Sequence, residues 1–130
     1  VTFLPRRPGG SKRRLLRAGA GTATLDLPTL LELFDGDRSG VGALLAAAIA
    51  AIARDARELE TRATAGDRAG VVETAHRLKG TGGTIGAKRL VAAASKIERA
   101  QPVAVPKLLS DVRTEVAALA AEIDAYRAGK

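Results

Sequence analysis

The sequence predicts an all-α protein: an antiparallel four-helix bundle with a short additional N-terminal helix. Three observations carry this expectation. First, the chain of 130 residues is 46% hydrophobic but only 2% aromatic, with one Tyr, two Phe, no Trp and no Met. Any core must then be built from Ala, Leu, Val and Ile, of which Ala and Leu rank among the best helix formers. Second, apolar residues recur at i, i+3, i+4 and i+7 over four long segments, the spacing of one helix face. Third, no segment alternates with period two over a strand's length, and no internal repeat is present.

The elements follow in order. Residues 1–24 carry six basic side chains (Arg6, Arg7, Lys12, Arg13, Arg14, Arg17) and no acidic one, among Gly, Pro and Thr. Without periodicity they read as a basic flexible arm or linker, and the folded domain is expected over 25–130. Asp26 is placed to cap a short helix that admits Pro28 in its first turn and ends near Phe34. A break at Asp35–Gly40 follows. The spacing of Val41, Leu44, Leu45, Ala48, Ile49, Ile52, Ala56 and Leu59 predicts a long helix from about Ser39 to Ala65, with Gly66 as its stop and Asp67 as the next cap. The third helix buries Val71, Val72, Ala75, Leu78 and Ile85 and ends at Gly86. The fourth, about Ala87 to Ala100, buries Leu90, Val91, Ala94 and Ile97, and Gln101-Pro102 breaks it. The fifth, about Val105 to Arg127, presents Leu108, Leu109, Val112, Val116, Leu119, Ile123 and Tyr126. Short connections between long amphipathic helices favour an antiparallel bundle.

Composition excludes several function classes. With no cysteine there is no disulfide scaffold, thiolate metal site or cysteine nucleophile. One histidine cannot make a multi-histidine metal centre, and any Ser-His-Asp arrangement would have to involve His76. The net charge of +7 suggests nucleic acid, but it belongs to the arm: residues 25–130 hold fifteen basic and fourteen acidic side chains. No helix-turn-helix pattern is evident, so nucleic-acid binding is a rival reading and not the main one. The most apolar run, Val41 to Ala53, falls short of the roughly 18–20 residues of a membrane span. The segment Asp35-Gly36-Asp37-Arg38-Ser39-Gly40 imitates the start of a calcium loop, but Ala46 stands where the bidentate glutamate should be. Gly80 to Lys88 lacks the phosphate-loop spacing, since Lys88 lies between Ala87 and Arg89 and no strand precedes it.

His76 is the candidate centre. Its helical neighbours at three, four and seven positions are Val72, Glu73, Lys79, Gly80 and Gly83. Each interior glycine costs about 1 kcal/mol against Ala, so Gly80, Gly82 and Gly83 in one helix need a compensating reason. The bare positions leave the imidazole proud and approachable by another protein. Neutral imidazole is a good nucleophile near pH 7. Lys79 would favour the neutral ring and partly neutralise a phosphoryl group attached to it. Arg77, Lys88 and Arg89 are candidates for a charged docking rim, with Gly83 as bare surface.

The string Ala75-His76-Arg77-Leu78-Lys79-Gly80, five residues, then Gly86-Ala87-Lys88-Arg89-Leu90 resembles the signature of histidine-containing phosphotransfer domains. Every fixed position of that pattern is met. Phe34-Asp35, Gly66-Asp67 and Glu98 also sit where the family often has such residues, and the resemblance covers about residues 25–127. It implies a four-helix bundle that carries phosphoryl groups between receiver domains in a phosphorelay. His76 would be the phosphoacceptor through Nε2, Lys79 would assist the phosphoryl group, and Gly80 would clear space. Ala75 and Leu78 would be partly buried supports. The resemblance implies a carrier and not a kinase, with no cofactor of its own and a divalent metal in the partner receiver. It further implies no small-molecule substrate, no membrane contact by the chain itself, and a cytoplasmic location. An opening residue other than Met and the linker-like arm fit the C-terminal module of a hybrid sensor histidine kinase. The remaining alternative is a helical protein-interaction module without phosphotransfer.

Overall fold

The computed structural model describes residues 25–129, so the arm expected over 1–24 lies outside the described residues. Within them every regular element is helical: α1 (Leu27–Leu33), α2 (Arg38–Thr64), α3 (Arg68–Thr84), α4 (Lys88–Arg99), a 3-10 turn (Pro102–Ala104) and α5 (Val105–Arg127).

Three aspartates start three helices. Asp26 accepts from the Thr29 backbone N–H at 3.3 Å and from its hydroxyl at 2.8 Å. Asp37 and Asp67 accept from Gly40 and Gly70 N–H at 3.0 and 2.9 Å. Each satisfies a donor that has no partner within its own helix. Asp37 therefore caps α2, one residue ahead of the expected start, and the acidic loop serves as a helix cap. Two glycines stop two helices. Gly66 and Gly86 have φ of +73° and +72°. The next N–H in each case reaches back over the last turn, Asp67 to Arg62 O at 2.9 Å and Ala87 to Gly82 O at 2.8 Å.

α2 packs on α3 and α5, and α4 packs on α3 and α5, while α1 leans on α2. The core between them is aliphatic: Val41, Leu45, Ile52 and Leu59 from α2, Val71, Ala75 and Leu78 from α3, Leu90, Ala94 and Ile97 from α4, and Leu109, Val112, Leu119 and Ile123 from α5. Ala75 and Leu78, expected to be partly buried, are fully buried. Tyr126 closes one end, donating from its hydroxyl to Arg38 O at 3.0 Å with the Arg38 guanidinium 4.4 Å from its ring centre.

α2 also corrects the reading of the apolar run. Extended by its alanines beyond Val41–Ala53, it is long and apolar enough by length and composition to cross a membrane. Here its larger side chains, Val41, Leu45, Ile52 and Leu59, are spent on the core.

Candidate functional site

His76 lies near the middle of α3, and its side chain is 74% exposed. The turn before it fixes its height above the core: the buried Thr74 hydroxyl donates to Gly70 O at 2.7 Å, and Ala75 and Leu78 on either side point inward. Nothing within the described chain roofs the ring. A Cβ built at Gly80 or at Gly83 would meet no atom within 4 Å, whereas one at Gly82 would sit 3.2 Å from Val91 Cγ2 and 3.5 Å from Leu90 Cδ2. The three glycines thus divide by cause. Gly82 sits where α3 and α4 approach closely and a side chain would fit tightly, whereas nothing among the described residues crowds Gly80 or Gly83.

The imidazole is held from α4. His76 Nδ1 is 3.1 Å from Glu98 Oε2, and the other carboxylate oxygen, Oε1, accepts from Lys79 Nζ at 2.7 Å. Glu98 is 19% exposed, so the bridge is partly sheltered. Lys79 beside it holds the Glu98 carboxyl below the ordinary carboxylate range, and the His76 bond adds to this, against an opposing contribution from partial burial. An ionised carboxylate only accepts, so Nδ1 carries a proton, and in the neutral ring this leaves the lone pair on Nε2. Lys79, expected beside the ring, is paired with Glu98. Its charge is directed first at Glu98, which orients the ring in turn.

Of the expected site residues His76, Lys79 and Gly80, the first two meet on Glu98, and Gly80 lies one turn along α3 from His76 with open space beside it. The family pattern had pointed to Glu98, but its position 22 residues from His76 carried no role until the α3–α4 packing set it beside the ring. The other candidates are distributed. Arg77 reaches back to α2, 2.9 Å from Glu58 and 3.4 Å from the buried Asp55, which is 3% exposed. It still borders, with Gly80, a shallow groove floored by Leu44, Ala47 and Ala51 of α2. Arg89 pairs with Glu115 of α5 at 3.0 Å. Nine residues from Glu98, it lies half a helical circuit away from the carboxylate that holds His76. Lys88 is exposed at the far end of α4 from Glu98. Among the described residues no group of three or more His, Cys, Asp or Glu side chains is arranged to hold a metal ion.

A nucleophilic nitrogen on a helix face, aimed outward, with a carboxylate behind it and bare backbone beside it, can accept an electrophile delivered by another protein. The family model of the Hpt domain matches residues 43–128. The chain belongs to the Hpt family. An Hpt domain is a phosphotransfer module of phosphorelays, a carrier and not a catalytic kinase, and its family partners are receiver domains. No curated protein and no solved structure matches this chain.

Proposed function

We propose that His76 is the phosphoacceptor of this Hpt domain, taking a phosphoryl group from the aspartyl phosphate of one receiver domain and passing it to another. The supporting observation is the Glu98 bridge. With Nδ1–H donated to Glu98, the Nε2 lone pair attacks phosphorus, the N–P bond forms, and the P–O bond to the receiver aspartate breaks, returning that residue as a carboxylate. The ring gains positive charge as the bond forms, and Glu98 stands 3.1 Å from Nδ1 to balance it. Lys79 is one helical turn from His76, placed to face the incoming phosphoryl oxygens as well as Glu98. The receiver, with a divalent cation bound, supplies the rest of the charge neutralisation. We read the four long helices as an antiparallel up-and-down bundle, supported by short turns and by α2 and α4 each packing on both α3 and α5. The docking face is the α2–α3 groove beside Gly80, apolar in its floor and edged by Arg54 and Arg77.

The experiment is transfer from a phosphorylated receiver to the 130-residue chain. The label should survive base and be lost in acid, as a phosphoramidate is. His76→Gln should abolish it with helicity unchanged. Labelling that persists in this variant refutes the site.

A further inference from the structure

We propose that the cleft between the α2–α3 turn and the start of α5 binds a short aliphatic carboxylate, with Arg68 as its counter-ion. This is independent of phosphotransfer by His76. The cleft has a volume of about 240 Å³ and is lined by Ala63, Arg68, Val71, Pro102, Val105 and Leu109, among others. That is slightly below the usual size of a small-molecule site. Its lining is mostly apolar, and its polar side chains are Thr64 and Arg68 with its guanidinium.

That guanidinium is under-satisfied. Arg68 Nη2 donates to Glu98 O at 3.1 Å, while Nη1 is buried and has no hydrogen-bond partner among the described residues. No carboxylate pairs with Arg68 among the described residues. The adjacent Asp67 is committed elsewhere, to Arg62 Nη1 at 2.9 Å and to Gly70 N–H at 2.9 Å. A buried cation nitrogen without an acceptor is costly, and an oxyanion is the acceptor that best repairs it. To meet a ligand in the cleft the guanidinium would have to turn about its Cδ–Nε bond and give up Glu98 O, and the carboxylate would replace that acceptor. An aliphatic tail then covers Val71, Val105 and Leu109 while the carboxylate meets the fork. The basic arm, with six cations and no anion, has the wrong charge to fill this place.

The test is a titration of the full 130-residue chain with sodium octanoate, followed by amide chemical shifts, with 1-octanol as the uncharged control. Saturable shifts are expected at Val71, Val105 and Leu109. A shift is also expected at the Arg99 N–H, whose peptide group contains the Glu98 carbonyl held by Arg68. Octanol should bind about tenfold more weakly or worse, the loss of one charge-assisted hydrogen bond. Arg68→Met should bring octanoate down to the octanol level, and Ala63→Phe, which fills the cleft and leaves Arg68 intact, should abolish both. Absence of saturation, equal binding of octanol and octanoate, or unchanged octanoate binding by folded Arg68→Met overturns the proposal. If Arg68→Met fails to fold, the wild-type comparison of octanoate with octanol decides alone. The assignment of His76 as phosphoacceptor does not rest on any of these outcomes.

Discussion

At the scale of single residues, the site depends on one carboxylate shared by two cationic or potentially cationic groups. Glu98 bridges Lys79 and His76, so its two neighbours can be separated by substitution. Glu98→Gln keeps an acceptor for Nδ1–H but loses the charge that balances the ring, and should slow transfer less than removal of the side chain does. Glu98→Ala leaves the ring free to rotate and to change tautomer, and transfer should slow by roughly tenfold, the worth of about one hydrogen bond. Transfer rates of the two variants from a common phosphorylated receiver check this order. The pH dependence has a definite sign. Because the folded state depresses the Glu98 pKa, chiefly through Lys79, the bridge contributes fully above the ordinary carboxylate value and is lost as pH falls through the depressed one. Glu58 and Asp67 are lowered by Arg77 and by the Gly70 N–H and Arg62 respectively, and act in the same direction. A carboxyl-carbon titration by NMR should find Glu98 still ionised where exposed glutamates have protonated, and Lys79→Met should move its midpoint upward.

At the scale of helices, the glycines of α3 separate packing from function. Gly80→Ala and Gly83→Ala place a methyl in open space and remove a backbone entropy cost, so each should stabilise the fold by about 0.5–1 kcal/mol. Gly82→Ala meets Val91 at 3.2 Å and should show no such gain. Denaturant midpoints read the difference. Transfer should fall for Gly80→Leu although that fold stands, which separates a surface kept bare for a partner from one kept bare for packing. Helix boundaries were legible because their signals are local: Asp26 and Asp67 as caps, Gly66 and Gly86 as stops, Pro102 as a breaker. Asp37 was missed as a cap because it sits in a loop with competing turn residues, Asp35 and Gly36, both at positive φ. The 3-10 turn at Pro102–Ala104 carried no periodic signal at three residues.

At the scale of the whole molecule, charge and architecture come apart. The six basic residues of the arm leave 25–130 close to neutral. Removing residues 1–24 should therefore abolish any salt-dependent DNA affinity while leaving phosphotransfer intact. Mobility-shift titrations at two salt concentrations, with transfer assays alongside, test both halves. The bundle and its histidine face were legible because both follow from periodicity and from a compact motif around His76. Glu98's contact with His76 and the directions of Arg77 and Arg89 were not. They depend on how α2, α4 and α5 are rotated about their axes, and Asp55, Glu58 and Glu115 reach these basic groups only through packing. The seal at Tyr126 has a practical consequence. With no tryptophan in the chain, this phenol is its one intrinsic fluorophore of consequence. It joins the first residue of α2 to the end of α5, and Ala63 stands roughly 38 Å further along α2 at about 1.5 Å per residue. Emission from this built-in beacon reports whether the far end of the barrel of helices is shut, without dye or label and undisturbed by what happens at the opposite end.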